Sequence, residues 1–401
     1  MSQEPVTMPR LPRALHLMAK PTGAICNLDC EYCFFLSKEE LYPGSSFRMT
    51  EQVLTEYVRQ LLEAQRGVDE VVFAFQGGEP TMMGLDFFKL VLDVQSDYAV
   101  PGQRILNTIQ TNGTLLTPEW GQFLKDNDFL VGLSIDGPRD LHDVYRVDKG
   151  GKPTFDRVVA GLKVLQEHQV DWNALVTVNA VNADHGREVY TFLRDELGAT
   201  FIQLIPIVER EGAHQASSRS VSGEQYGRFL NEVFDEWVRN DVGDVFVQNF
   251  DTALGHWMGM DDFGSCVHAP TCGRALALEH NGDVYSCDHY VDPEYRLGNI
   301  IDLASGKQLL ALVDSPQQIA FGQAKRDTLP DYCKQCDVLF ACNGGCPKDR
   351  FLQTPYGEPG LHYLCEGYQA FFRHVDRPMR IMAELLRAGR DADGVKAHYA
   401  T

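Results

Sequence analysis

The chain has 401 residues, of which 44% are hydrophobic and 23% are charged, and its formal net charge is -20. This size and composition are typical of a globular protein with one large and one smaller domain, and the negative charge argues against a nucleic-acid partner, because phosphate binding relies on a basic surface. No apolar run reaches the roughly 18 to 20 residues of a membrane span, and the N-terminus lacks the apolar core of a secretory signal, so we expect a cytoplasmic protein with no membrane partner.

Apolar, β-branched runs alternate with amphipathic stretches from residue 15 to residue 240. The predicted strands are 16–21, 71–76, 104–110, 130–135, 173–181 and 201–207. Helical spacing of apolar residues from Phe155 to Leu165 predicts one helix, and Ser222 followed by Gln225 predicts the capped start of another. Six repeats of strand and helix predict a parallel α/β sheet, as a barrel, a partial barrel or an open sheet.

Polar, glycine-containing segments follow the first four predicted strands. They are a cysteine-containing loop and then residues 77–80 (GGEP), 111–113 (TNG) and 136–138 (DGP). In parallel α/β barrels the active site lies at the C-terminal ends of the strands, so we expect these segments to line one site.

The rest of the chain divides by composition. Residues 1–14 are predicted to be an N-terminal tail, 15–240 a core domain, 241–265 a linker, 266–372 a cysteine-rich domain and 373–401 a C-terminal helical tail. The cysteine-rich segment has many turns and few apolar residues, which indicates that bound metal stabilises it.

The eleven cysteines fall into two groups, and clustered cysteines in a reducing compartment indicate metal binding rather than disulfides. The first group is Cys26, Cys30 and Cys33, with C-x3-C-x2-C spacing. A structural zinc site needs four ligands, whereas a four-iron cluster held by three cysteines leaves one iron open to an exogenous ligand. Spacing alone leaves zinc as an alternative.

The aromatic residue before Cys33 and the GGEP segment resemble the signature of the radical S-adenosylmethionine superfamily. The resemblance implies a partial (β/α)6 TIM-like barrel, and an open iron chelated by the amino and carboxylate groups of S-adenosylmethionine. It also implies a set of residues that contact this co-substrate, namely Tyr32, Gly78, Ser134, Arg146 and Val208. Glycine suits close backbone approach, and arginine suits a carboxylate.

The second group holds eight cysteines, enough for two four-cysteine sites. Their order resembles the SPASM extension of some radical enzymes, which carries two auxiliary 4Fe–4S clusters. The resemblance assigns the first auxiliary cluster to Cys266, Cys272, Cys287 and Cys346. It assigns the second to Cys333, Cys336, Cys342 and Cys365. Two zinc ribbons are the alternative, although only one CxxC pair is present.

From about residue 16 to residue 372 the chain resembles the anaerobic sulfatase-maturating enzymes. The segments that carry the resemblance are 26–33 (CNLDCEYC), 75–81 (FQGGEPT), 110–114 (QTNGT), 132–138 (GLSIDGP), 287–290 (CDHY) and 296–300 (RLGNI). Such enzymes oxidise a cysteine or serine of an unfolded sulfatase to Cα-formylglycine, with methionine and 5′-deoxyadenosine as co-products. The resemblance implies that Asp288 is the base and that Gln76 and Gln110 bind the peptide.

The cofactors implied are three 4Fe–4S clusters with S-adenosylmethionine as co-substrate. The partners implied are an unfolded sulfatase with a C/S-x-P-x-R segment and an electron donor such as flavodoxin or ferredoxin. One alternative is another SPASM enzyme, which forms a thioether or carbon–carbon crosslink on a ribosomal peptide. A non-catalytic zinc-binding adaptor is the other.

Overall fold

The computed structural model describes residues 14–261 and 263–399, so the predicted N-terminal tail lies, except for residue 14, outside the described residues. The strands are β1 (His16–Lys20), β2 (Glu70–Phe75), β3 (Arg104–Thr111), β4 (Leu130–Ser134), β5 (Trp172–Val178), β6 (Phe201–Pro206), β7 (Arg210–Glu211), β8 (Gln215–Ala216), β9 (Phe246–Val247), β10 (Ala275–Glu279), β11 (Asp283–Tyr285), β12 (Arg296–Asn299), β13 (Leu352–Gln353) and β14 (Pro359–Leu361). The helices are α1 (Glu51–Ala64), α2 (Leu85–Tyr98), α3 (Pro118–Asp126), α4 (Arg139–His142), α5 (Phe155–Glu167), α6 (Gly186–Thr191), α7 (Gly223–Asn240), α8 (Gln248–Trp257), α9 (Gly306–Val313), α10 (Pro316–Asp327), α11 (Asp331–Lys334), α12 (Leu339–Cys342) and α13 (Cys365–Arg387).

Strands β1 to β6 pair in parallel and in chain order, which confirms the predicted α/β fold. All six predicted strands are present, and their ends differ from the prediction by at most about three residues. The predicted capping box is also present at the start of α7, where the Ser222 hydroxyl accepts from the Gln225 amide. Local sequence signals were therefore sufficient for the repeating part of the fold.

The apolar faces of the helices pack on this sheet and hold its strands in place. Thr50 caps α1, and the helix then buries Leu54, Tyr57 and Leu61 on one face, as helical spacing requires. Phe73 on β2 is fully buried and contacts Tyr57, with ring centroids 5.3 Å apart. The strand ends are thereby fixed on a rigid support, and the loops that follow them can hold side chains in defined positions.

The cysteine-rich segment continues the same sheet. Strand β10 pairs in parallel with β1 along its whole length, from His16 opposite Ala275 to Lys20 opposite Glu279. Strands β11 and β12 join the edge of the sheet in antiparallel orientation. The sheet order is therefore β12-β11-β10-β1-β2-β3-β4-β5-β6-β9. The loop after β11 also contacts the loop after β1, where the rings of Phe34 and His289 lie 5.3 Å apart.

Residues 241–265, predicted to be a linker, contain regular structure. Strand β9 pairs with β6 at the end of the sheet, and α8 buries Phe250, Ala253 and Trp257. Sequence analysis did not detect β9, because a two-residue strand leaves no alternation pattern. The element belongs to the same core as β6.

The predicted C-terminal helical tail, residues 373–401, contains the second part of a long helix. The boundary at residue 372 falls inside α13, which packs on α7 through glycines. A Cβ on Gly367 would lie 2.2 Å from the carbonyl oxygen of Gly223, so only glycine permits this approach. Helix α13 is therefore part of the core, whereas residues 400–401 lie outside the described residues. Of the helices described, none combines the length and the apolar character that a bilayer crossing requires.

Candidate active site

The loop after β1 carries the first three cysteines. The Cys33 amide donates to the Cys30 carbonyl at 2.9 Å, and the Leu28 amide donates to the Cys26 sulfur at 3.3 Å. Burial, together with the nearby charge of Glu79, raises the pKa of Cys26 to about 12. The thiols therefore hold their protons until a metal displaces them, because metal binding requires thiolates.

The GGEP segment lies directly against this loop. The Gly78 amide donates to the Gly23 carbonyl at 2.8 Å, and a Cβ on Gly78 would lie 2.0 Å from the carbonyl oxygen of Ile25. The buried Glu79 carboxylate accepts from the Thr111 hydroxyl at 2.7 Å and from the Asn112 amide at 2.8 Å. These bonds join the ends of β2 and β3 and fix the backbone beside the cysteine loop.

Tyr32 and Arg146 meet at the end of β4 through a residue that sequence analysis did not select. Asp136 accepts a hydrogen bond from the Tyr32 hydroxyl and another from Arg146 at 3.0 Å. Arg146 also donates to the Thr177 hydroxyl at 3.2 Å, and its charge acts on the Cys30 thiol. Asp136 follows a predicted strand within the DGP segment, which was the signal available to find it.

The other residues expected to contact S-adenosylmethionine lie at the same end of the sheet. Ser134 is buried at the C-terminal end of β4, and Val208 is buried shortly after β6. The two glutamines expected to bind peptide lie at the ends of neighbouring strands, since Gln76 follows β2 and Gln110 is near the end of β3. In this structure the Gln76 amide contacts the sulfur of Met18.

Asp288 forms an ion pair with Lys20. Lys20 is the last residue of β1 and is fully buried, with its ammonium nitrogen 3.6 Å from the centre of the Phe35 ring. Because Asp288 follows Cys287 and Phe35 follows Cys33, this pair joins the two cysteine-bearing loops. Sequence analysis missed Lys20, since a lysine at a strand end carries no motif.

The next residue, His289, packs against Phe34, with ring centroids 5.3 Å apart. Burial lowers the pKa of His289 to about 4, so its imidazole is neutral at neutral pH. It thus adds no charge next to Asp288.

The eight C-terminal cysteines separate into two sets of four. Burial is the largest cause of the raised pKa of Cys287, and the charges of Cys266 and Cys346 raise it further. Cys266 likewise raises the pKa of Cys272. The second set lines one pocket, which contains Cys333, Cys336, Cys342 and Cys365 together with Val338, Leu339 and His362. The ligand sets that the resemblance implies, including the crossing of Cys346, stay predictions.

Two family models match the chain. The model described as the Radical SAM superfamily matches residues 21–193, and the model described as an iron-sulfur cluster-binding domain matches residues 266–337. These matches confirm the predicted classes of cofactor and exclude the alternative of a zinc-binding adaptor.

Curated relatives and solved structures match over nearly the whole chain. A serine-type anaerobic sulfatase-maturating enzyme of Bacteroides thetaiotaomicron is 46% identical and is aligned over 96% of this chain and 95% of its own. A cysteine-type anaerobic sulfatase-maturating enzyme of Clostridium perfringens is 33% identical, over 90% of this chain and 96% of its own. The solved structure of native anSMEcpe with bound AdoMet and Cp18Cys peptide has a TM-score of 0.81 at 32% identity, and covers 93% of this chain and 99% of that chain. By both sequence and fold, the chain belongs to the anaerobic sulfatase-maturating enzymes of the radical S-adenosylmethionine superfamily.

Proposed function

We propose that this enzyme oxidises the side chain of a serine or cysteine in an unfolded sulfatase segment to the aldehyde of Cα-formylglycine. The ion pair between Asp288 and Lys20 is the observation that carries the proposal. It holds a carboxylate at the junction of the first cysteine loop and the second cysteine group. A serine or cysteine substrate bound there, after losing a hydrogen atom from its carbon, has a proton acceptor within the same site.

The proposed ligands of the first cluster are Cys26, Cys30 and Cys33. Tyr32, Gly78, Ser134, Arg146 and Val208 are proposed to surround S-adenosylmethionine. When bound, the cluster and S-adenosylmethionine supply the radical that removes a hydrogen atom from the substrate carbon. Arg146 is oriented by Asp136, so its remaining donor groups keep a fixed direction toward an anionic ligand.

In the proposed mechanism, Asp288 accepts the proton of the substrate hydroxyl or thiol. Lys20 fixes the carboxylate in position, and the Phe35 ring packs against the Lys20 ammonium. One electron leaves with the abstracted hydrogen atom and the second must pass to an electron acceptor, so the site needs an acceptor as well as a base. A serine then gives the aldehyde directly, whereas a cysteine gives a thioaldehyde that water hydrolyses to the aldehyde with release of hydrogen sulfide. The neighbouring set of Cys266, Cys272, Cys287 and Cys346 is the proposed ligand set of the acceptor.

The substitution Gly78→Ala is expected to weaken S-adenosylmethionine binding at least about tenfold. The new methyl group displaces the Ile25 backbone, and overpacking of this kind costs about 1–3 kcal/mol. Equilibrium binding to the iron-loaded variant measures the effect. Gly223→Ala is the matched control, because its Cβ meets only ordinary contacts of 3.5 Å, and unchanged affinity in Gly78→Ala would contradict the proposed position of the ligand.

Anaerobic incubation with matched peptides tests the reaction itself. We expect peptides with Ser-x-Pro-x-Arg or Cys-x-Pro-x-Arg to gain an aldehyde, detected by mass spectrometry after hydrazide trapping, and the peptide with alanine at that position to stay unchanged. The 46% identity to a serine-type relative favours reaction of the serine peptide. A thioether or carbon–carbon crosslink without aldehyde would instead identify a peptide-crosslinking enzyme.

For the cellular setting, we propose a cytoplasmic location and a reduced flavodoxin or ferredoxin as electron donor. These carriers reach potentials low enough to reduce iron–sulfur clusters.

A further inference from the structure

Two basic side chains, Lys325 and Arg350, lie among the eight cysteines of the C-terminal segment. Lys325 is 0% exposed, and its ammonium donates to the carbonyls of Cys266 at 2.6 Å and Val267 at 2.9 Å. The Arg350 guanidinium donates to four carbonyls, those of Gly344, Lys325, Asn343 and Gly345, at 2.5 to 3.1 Å. Backbone oxygens thus orient both cations, and within the described part of the chain neither one forms an ion pair with a carboxylate.

Most of the carbonyls that orient these cations lie in or beside the two cysteine sets. The carbonyl that accepts from Lys325 at 2.6 Å is that of Cys266, a member of the first auxiliary set. Three of the carbonyls that accept from Arg350, those of Asn343, Gly344 and Gly345, lie in the segment that joins Cys342 of the second set to Cys346 of the first. Arg350 is therefore positioned between the two sets.

Lys325 is fully buried and Arg350 is half-buried. Removing a cation from water without a counter-charge is unfavourable, because carbonyl dipoles replace only part of its hydration. A 4Fe–4S cluster with four thiolate ligands carries a net charge of about -2 when oxidised and one more negative charge when reduced. Clusters bound to the two sets supply the missing negative charge. The protein's own side chains thus place a positive charge near each of the two cysteine sets.

We propose that Lys325 and Arg350 are the counter-cations of the two auxiliary clusters and raise their reduction potentials, with Arg350 acting on both. A nearby buried cation stabilises the more negative, reduced cluster more than the oxidised one, since charges interact strongly in a medium of low dielectric constant. This inference rests on the proposed cysteine assignment but is independent of the peptide substrate.

The test is a potentiometric titration of the full-length, reconstituted protein, followed by electron paramagnetic resonance. Alanine at positions 26, 30 and 33 removes the paramagnetic signal of the first cluster, so that the remaining signals come from the auxiliary clusters. In this background we expect Lys325→Met to lower one auxiliary potential, with at least a tenfold smaller equilibrium constant for reduction, which is about 59 mV for one electron. Arg350→Gln is expected to lower both potentials, and Lys325→Arg to restore the first.

Lys334→Met is the matched control. Lys334 adjoins Cys333 in sequence, but its side chain is 55% exposed and paired with Asp331, so solvent screens its charge and we expect little change in potential. Unchanged potentials in Lys325→Met and Arg350→Gln at full iron content would overturn the proposal. Iron loss in Lys325→Met supports it if Lys325→Arg keeps its iron, and overturns it if both lose iron. Absence of any auxiliary signal in the parent chain contradicts the cysteine assignment instead.

Discussion

Replacing Cys26, Cys30 and Cys33 together by alanine is expected to abolish cleavage of S-adenosylmethionine, with a loss of at least about a thousandfold. The three thiols are the proposed ligands of the only cluster with an open iron, so no other site replaces their function. The variant should keep about eight of about twelve irons per chain, because the two auxiliary sets are unchanged. Quantification of 5′-deoxyadenosine and of iron measures both effects.

Cys336→Ala provides the contrast for this result. It removes one proposed ligand from the pocket of the second auxiliary set and leaves the loop after β1 intact. We expect reduced iron content together with continued cleavage of S-adenosylmethionine when a chemical reductant is supplied. Cleavage that persists in the triple variant would contradict the assignment of the first three cysteines.

Asp288→Asn is expected to lower peptide oxidation by a factor of about 10²–10⁴, the range for loss of a general base. Asparagine keeps the shape of the side chain and an oxygen that accepts from Lys20, but it cannot take the substrate proton. Binding of S-adenosylmethionine should persist, since the residue follows Cys287 and lies outside the first cysteine loop. The measurement is the ratio of aldehyde to 5′-deoxyadenosine, which should fall in the variant.

Asp292→Asn is the control for this second result. Asp292 forms an ion pair with Lys38 at 2.9 Å, but its side chain is 43% exposed, and it is only four residues from Asp288. Exposed pairs contribute little, so we expect less than about a twofold change in rate. Full peptide oxidation by Asp288→Asn would show that another group accepts the proton. Thermal unfolding of both variants separates loss of chemistry from loss of stability.

Sequence analysis was successful where function depends on residues close together in the chain. The spacing of Cys26, Cys30 and Cys33 and the GGEP segment indicated the superfamily, because three thiols and a flexible backbone must follow one another to wrap a cluster. The grouping of Cys346 with Cys266 was available only through resemblance, since local spacing holds no information on which distant thiols meet. The predicted domain boundaries and site roles stay predictions.

Two sets of contacts in the site could not be predicted from the local sequence. The ion pair of Lys20 and Asp288 joins positions 268 residues apart in sequence, and its formation depends on β10 pairing with β1. Asp136 was noted within a motif, but its bonds to Tyr32 and Arg146 depend on how three loops pack. Such contacts follow from tertiary structure, which local propensity and periodicity do not encode.

The pairing of β1 with β10 also affects how the chain is made. The ribosome synthesises β1 at the beginning of the described chain, whereas the opposing residues begin at Ala275, about 260 positions later. At about 5–20 residues per second, roughly 10 to 50 seconds separate the two strands. During that interval the nascent chain exposes one edge of β1, with unpaired amide and carbonyl groups that can pair with another chain. Chaperone protection of the N-terminal strand during translation is therefore most valuable until the cysteine-rich segment has emerged.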